Sequence, residues 1–194
     1  MNAESNFPLI SGRISIDLVN TEVVRHGNRH DLLTSSEHVI AWFETLNNHN
    51  ILFIEQFHTN VEKWAKEALP LLQEVRSFLR EGYEKMADGE KLSTDWTAYL
   101  ESLIAKAPFA YKLIKGELLP IPKGKPADAL VSLIALDAID LFASNDLNNI
   151  HRCANPECVL LFIDTRGRRK WCSMKICGNR KKVTRHQQRK KKEK

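Results

Sequence analysis

Four cysteines, Cys153, Cys158, Cys172 and Cys177, carry the clearest chemistry in this chain. They are its only cysteines and follow the order C-x4-C-x13-C-x4-C within the last quarter of 194 residues. Two pairs around a loop of this length can close a tetrahedral thiolate shell on one Zn²⁺. Sulfur would fill all four positions and leave none for water, so the expected metal is structural, not catalytic. An iron–sulfur cluster also takes four cysteines, but paired knuckles among basic residues favour zinc. A cytoplasmic location is expected, where reduced thiols favour metal over disulfides.

The charge is divided in the same way as the cysteines. Residues 1–150 hold 14 Lys and Arg against 21 Asp and Glu, a net of −7. Residues 151–194 hold 15 against 3, a net of +12. Such a footprint suits a polyanion. The candidate nucleic-acid contacts are Arg168, Arg169, Lys170, Asn179, Arg180, Lys181, Lys182, Arg185 and Arg189. The segment after Cys177 has Val183 as its only sizeable aliphatic residue, so a helix there faces solvent or a partner. Its cations suit phosphates, whereas Asn179 has the amide that can read a base edge. Duplex DNA is the expected partner, and RNA or an RNA polymerase the alternative. A treble-clef nuclease would need a catalytic metal, for which only His151, Asn179 and His186 are at hand, and Asp164 stands almost alone beside them. No catalytic residue is assigned.

The elements that must position these residues follow from periodicity. Arg13–Val24 is β-branched and weakly alternating and reads as a strand. His26-Gly27-Asn28 is a turn, with a return strand over His30–Thr34. Ser35 or Ser36 caps a helix carrying Val39, Ile40, Trp42, Phe43 and Leu46. A longer helical region runs from Ile51 to Met86, with Pro70 expected to open a new helix. Ser93 or Thr94 caps the next. Ala110–Ile121 reads as a hairpin around Lys115-Gly116, and Asp128–Phe142 as a buried helix. That stretch is too short and too often interrupted by Asp to span a membrane.

Ser144–Asn149 is turn-rich, which places a boundary between residues 1–147 and a finger over 148–192. In the finger, knuckle, hairpin and helix follow in treble-clef order. Val159–Asp164 is the expected strand, Lys170–Cys172 a second strand or knuckle, and Ser173 an N-cap. The fold class is α+β: a mainly helical N-terminal domain with short β-hairpins, then a small zinc finger.

Cys153-x4-Cys158, Arg168-Arg-Lys-Trp-Cys172 and Cys177-Gly-Asn-Arg180 together resemble the CGNR zinc finger. Ile16-Asp-Leu-Val-Asn-Thr21 resembles the LDFVNT-type signature of the ABATE domain, with Ile16 for Leu and Leu18 for Phe. The resemblance implies four cysteines on zinc, and DNA binding by stress-induced transcription regulators. It leaves the N-terminal role open. Asp17, Asn20, Thr21, Arg25 and His30 form a candidate pocket for a small-molecule or protein effector; the alternative is ordinary strand and turn hydrogen bonding. His26, His38, His49 and His58 have no metal spacing and read as surface residues. Oligomeric state is left open.

Overall fold

The computed structural model describes residues 7–179. Its elements in chain order are α1 (Ile14–Val19), β1 (Glu22–Arg25), β2 (Asn28–Asp31), α2 (Ser36–Asn48), α3 (Ala65–Ala87) and α4 (Thr94–Lys106). There follow β3 (Phe109–Ile114), β4 (Glu117–Pro122), α5 (Pro126–Ala143), β5 (Ile150–Arg152) and β6 (Leu161–Ile163). The six strands form three two-stranded antiparallel ribbons.

The expected strand at Arg13–Val24 is corrected: its first half is the helix α1, and only Glu22–Arg25 is extended. All six residues of α1 are buried. Burial among α3, α5 and β6 overrides the β preference of Ile14, Ile16 and Val19. Each polar side chain there finds a partner. The Ser15 hydroxyl donates to Asp137 at 2.5 Å, and Tyr83 donates to the Ser15 oxygen at 2.7 Å. Asp17 Oδ1 accepts from the Ile10 and Ser11 amides and the Ser11 hydroxyl.

β1 and β2 pair around His26-Gly27, whose φ values of 52° and 79° make the left-handed two-residue turn that hairpins favour. The Ser35 side chain accepts from the His38 amide and starts α2. Pro70 does not open α3, as the sequence suggested, but lies five residues into it. So early in the helix its missing N–H removes only the bond to the Lys66 carbonyl. Two 3₁₀ turns, Ile54–Gln56 and Val61–Lys63, precede α3. Asp88 ends it, and Gly89 supplies the positive φ of 84°.

α3 packs on α1, α2 and α5, and α5 on α4. One continuous core includes Trp42, Leu72, Leu79, Tyr83, Leu100, Leu130 and Ile134. Ile150 of β5 and Leu161 of β6 belong to that same core. The finger hairpin is thus set into the helical body. Among the described residues no helix is long and apolar enough to cross a membrane.

Candidate metal centre

The finger hairpin differs from the one expected. β6 pairs with β5, in register Ile150 to Ile163, and the first knuckle forms the loop between them. Lys170–Cys172 is not a strand but the approach to the second knuckle. The two knuckles are joined where the Ala154 amide donates to the Lys170 carbonyl at 2.8 Å. Ser173 caps the following turn, Met174–Gly178, by accepting from the Ile176 amide at 2.9 Å. That turn places Cys177 beside the other thiols.

The four sulfur atoms all lie within 4.8 Å of one another, and no cysteine is in a disulfide. Cys158 and Cys172 are 3.8 Å apart. A tetrahedron with Zn–S near 2.3 Å has edges of ~3.8 Å, so the cage has the right size. The Cys172 amide points at Cys153 Sγ at 3.4 Å, and Asn155 Nδ2 at Cys177 Sγ at 3.7 Å. Donors to sulfur support thiolates and orient them. Without a cation, burial and the bonds between the thiols oppose four thiolates at once. The hydrogen bond with Cys172 pulls Cys158 down to about 6, while that same bond and burial push Cys172 far up. Burial pushes Cys177 up to about 11. A divalent cation reverses that opposition by stabilising all four thiolates together. The residues fit one structural Zn²⁺. Among the described residues no other group of His, Cys, Asp and Glu comes together in this way.

The finger's small core is Leu160 and Phe162 against the cysteines, with Trp171 and Ile176 beside them. Arg169, a candidate nucleic-acid contact in the sequence, is half-buried here. Its guanidinium lies 4.4 Å over the Phe162 ring and donates to the Trp171, Cys172 and Ile10 carbonyls. It pins the second knuckle to the N-terminal segment. Arg168, Lys170 and Asn179 are exposed. Arg180, Lys181, Lys182, Arg185 and Arg189 lie outside the described residues. Arg166 and Lys175 join the exposed set.

The five candidate pocket residues do not share one cavity. Asn20 is fully buried and bonds both backbone groups of Leu161: its Nδ2 donates to the carbonyl and its Oδ1 accepts from the amide, each at 2.9 Å. Thr21 accepts from Arg76 and donates to the Leu18 carbonyl. Asp17 is held as described above, and His30 is exposed. Only Arg25 of the five lines the cavity of about 950 Å³ between Phe7–Ile10, the β1–β2 tip and the knuckles.

The residues that hold the finger in place were not picked out from the sequence. Arg80, 7% exposed, donates to the Val19 and Val159 carbonyls and pairs with Glu22 and Glu84. Arg152 of β5 pairs with Asp88 and Glu84. A signal was present: Arg76 and Arg80 interrupt the apolar stripe Leu72, Leu79, Tyr83 at helical spacing. A cation on a buried stripe implies a buried acceptor.

Residues 149–190 match the CGNR zinc finger family. Residues 12–145, more than half of the chain, match ABATE, described as "Putative stress-induced transcription regulator". By these descriptions the two families are of regulator and zinc-finger type. No curated protein matches the chain. A zinc-sized thiol cage on a ribbon rooted in a helical body agrees with both matches, and the chain belongs to the ABATE family, with a CGNR zinc finger following the ABATE region.

Proposed function

We propose that this protein regulates transcription by binding duplex DNA through its finger, while the helical body fixes the finger's orientation and receives an effector or partner. One observation carries the reading. Arg166, Arg168, Lys170 and Lys175 are exposed on the metal-held loops, and none makes an ion pair among the described residues. In the body the arginines Arg13, Arg29, Arg76 and Arg80 are matched to carboxylates, as is the finger-root Arg152, whereas lysines such as Lys91, Lys106 and Lys123 are unpaired among the described residues but are spread among acidic neighbours. Unpaired cations on a rigid loop are positioned for phosphates. The sequence continues directly into further cations from Arg180 to Lys192.

Anisotropy titration of a labelled duplex across a range of salt tests this. If four to six cations meet phosphates, log K falls with log salt at a slope of about −4 to −5. Replacing Arg168 and Lys170 together by Ala lowers that steepness by up to about two and leaves the melting point unchanged. Arg169→Ala, by contrast, loosens the finger itself. Salt-independent binding, or a double variant equal to the parent, would remove the finger as the interface. A structured RNA competitor run in parallel decides between the DNA reading and the RNA one.

A further inference from the structure

The β3–β4 ribbon carries features that neither the metal centre nor the finger uses. Ile114 and Glu117 close the two-residue turn Lys115-Gly116, whose φ values are 51° and 87°. The closing pair of such a turn exchanges both hydrogen bonds, and the pattern then alternates along the ladder. So Ala110, Lys112 and Ile114 bond to β4, while the N–H and C=O of Phe109, Tyr111 and Leu113 point away from it. Among the described residues, no backbone hydrogen bond outside the ribbon reaches these outward groups. The two edges are unlike. At the matching outward positions β4 has Pro120 and Pro122, which have no N–H, and the Pro120 carbonyl already accepts from Gln56 Nε2 at 2.8 Å. β4 is closed to another strand, whereas β3 is six residues without proline, open along its length.

The ribbon's faces are unlike too. Ile114 and Ile121 are buried on one side. On the other, Tyr111, Leu113 and Leu118 are 63%, 69% and 67% exposed, with Leu113 paired directly to Leu118 and Tyr111 to Pro120. This face bears no charge, so it offers phosphates nothing. Its exposed side chains amount to roughly 350 Å², within the range of functional patches on monomers. Pairing in the plane of the sheet leaves this face on the surface and sets two copies of it side by side, so the main-chain edge of β3, with the cross-strand neighbours of Tyr111 and Leu113, makes the contact.

We propose that the chain forms a twofold dimer by antiparallel pairing of β3 with β3 of a second copy, giving a four-stranded sheet in the order β4-β3-β3-β4. The sequence of β3 suits a copy of itself in one register. With Tyr111 on the axis, Phe109 faces Leu113 of the other chain and Lys112 faces Ala110, so no like charges are opposed. The outward groups of Phe109, Tyr111 and Leu113 then bond one another across the axis. A register centred on Lys112 would place two lysines opposite each other.

The test is the mass of the full-length zinc-loaded protein by sedimentation equilibrium. The expected value is twice the 22.3 kDa chain mass. Tyr111→Pro, which copies Pro120, removes an outward N–H without touching the ribbon's own ladder and should return the single-chain mass with unchanged helix content and zinc. Should that variant misfold, Ala110→Lys with Tyr111→Lys tests the same register without altering the ribbon's own ladder, because it opposes lysines at three neighbouring cross-strand pairs. A parent at the single-chain mass overturns the proposal. So does a dimer that survives these substitutions in folded protein.

Discussion

The helical body and the finger solve one problem by opposite means. The body buries Trp42, Leu79, Tyr83, Leu130 and their neighbours in a single apolar core and needs no metal. The finger has only Leu160 and Phe162 fully inside with its thiols, too little apolar surface for independent stability. Zinc supplies the difference. Between them, the ribbon β5–β6 serves both: its Ile150 and Leu161 fill the body's core, while Cys153 and Phe162 face the metal site. The finger is therefore not a bead on a linker. Ablating either side must be felt on the other.

The largest test of that contrast is removal of the metal. Cys172→Ser or chelation should unfold the finger, since structural zinc contributes ~10–16 kcal/mol in isolated fingers. The body's melting point should also fall, because its core loses the anchored Ile150 and Leu161. Calorimetry with Trp171 fluorescence should show one transition in the loaded protein. A body transition unmoved by chelator would make the two regions independent after all.

Arg80→Ala should be next in size. It strips partners from the Val19 and Val159 carbonyls and leaves Glu22 with Arg29 as its one cation, at a cost of about 2–4 kcal/mol in urea unfolding. Arg152→Ala breaks an outer tie between the same two regions. Its side chain is 43% exposed, so about 0–1 kcal/mol is expected. Equal effects from both would mean that surface charge, not the buried fork, seats the finger.

A smaller effect comes from Asp17 in α1. Burial pushes its carboxyl up to about 6, and its Oδ2 has no hydrogen-bond partner. A raised carboxylate favours the protonated fold, so this group adds stability as pH falls from about 6 towards the unfolded value near 4. Asp17→Asn should flatten the stability profile in that window and remove up to ~3 kcal/mol of pH dependence. The comparison is made by urea midpoints in excess zinc. A profile identical to the parent would show Asp17 ionised throughout.

Local signals were legible where local chemistry decides structure. The cysteine spacing, the Ser35 and Ser173 caps, the Lys115-Gly116 turn and the buried α5 could all be read from neighbouring residues. Arg13–Val24 reads as a strand but folds as helix over Ile14–Val19, because β-branched propensity is weaker than burial on every side. Asn20 could not be read as a finger anchor, because its partner Leu161 is 141 residues away. The inward turn of Arg169 depends on Phe162 and Ile10 meeting in space, which composition does not disclose.

The shared ribbon also links the fold to the chemical potential of a solute. Because the metal binds only the folded ribbon and knuckles, free zinc enters the folding equilibrium by mass action, each tenfold change being worth about 1.4 kcal/mol above the dissociation constant. In a detachable finger that dependence would stop at the finger. Here Ile150 and Leu161 carry part of it into the body, so the supply of zinc also sets the margin of stability of a core that holds no metal itself.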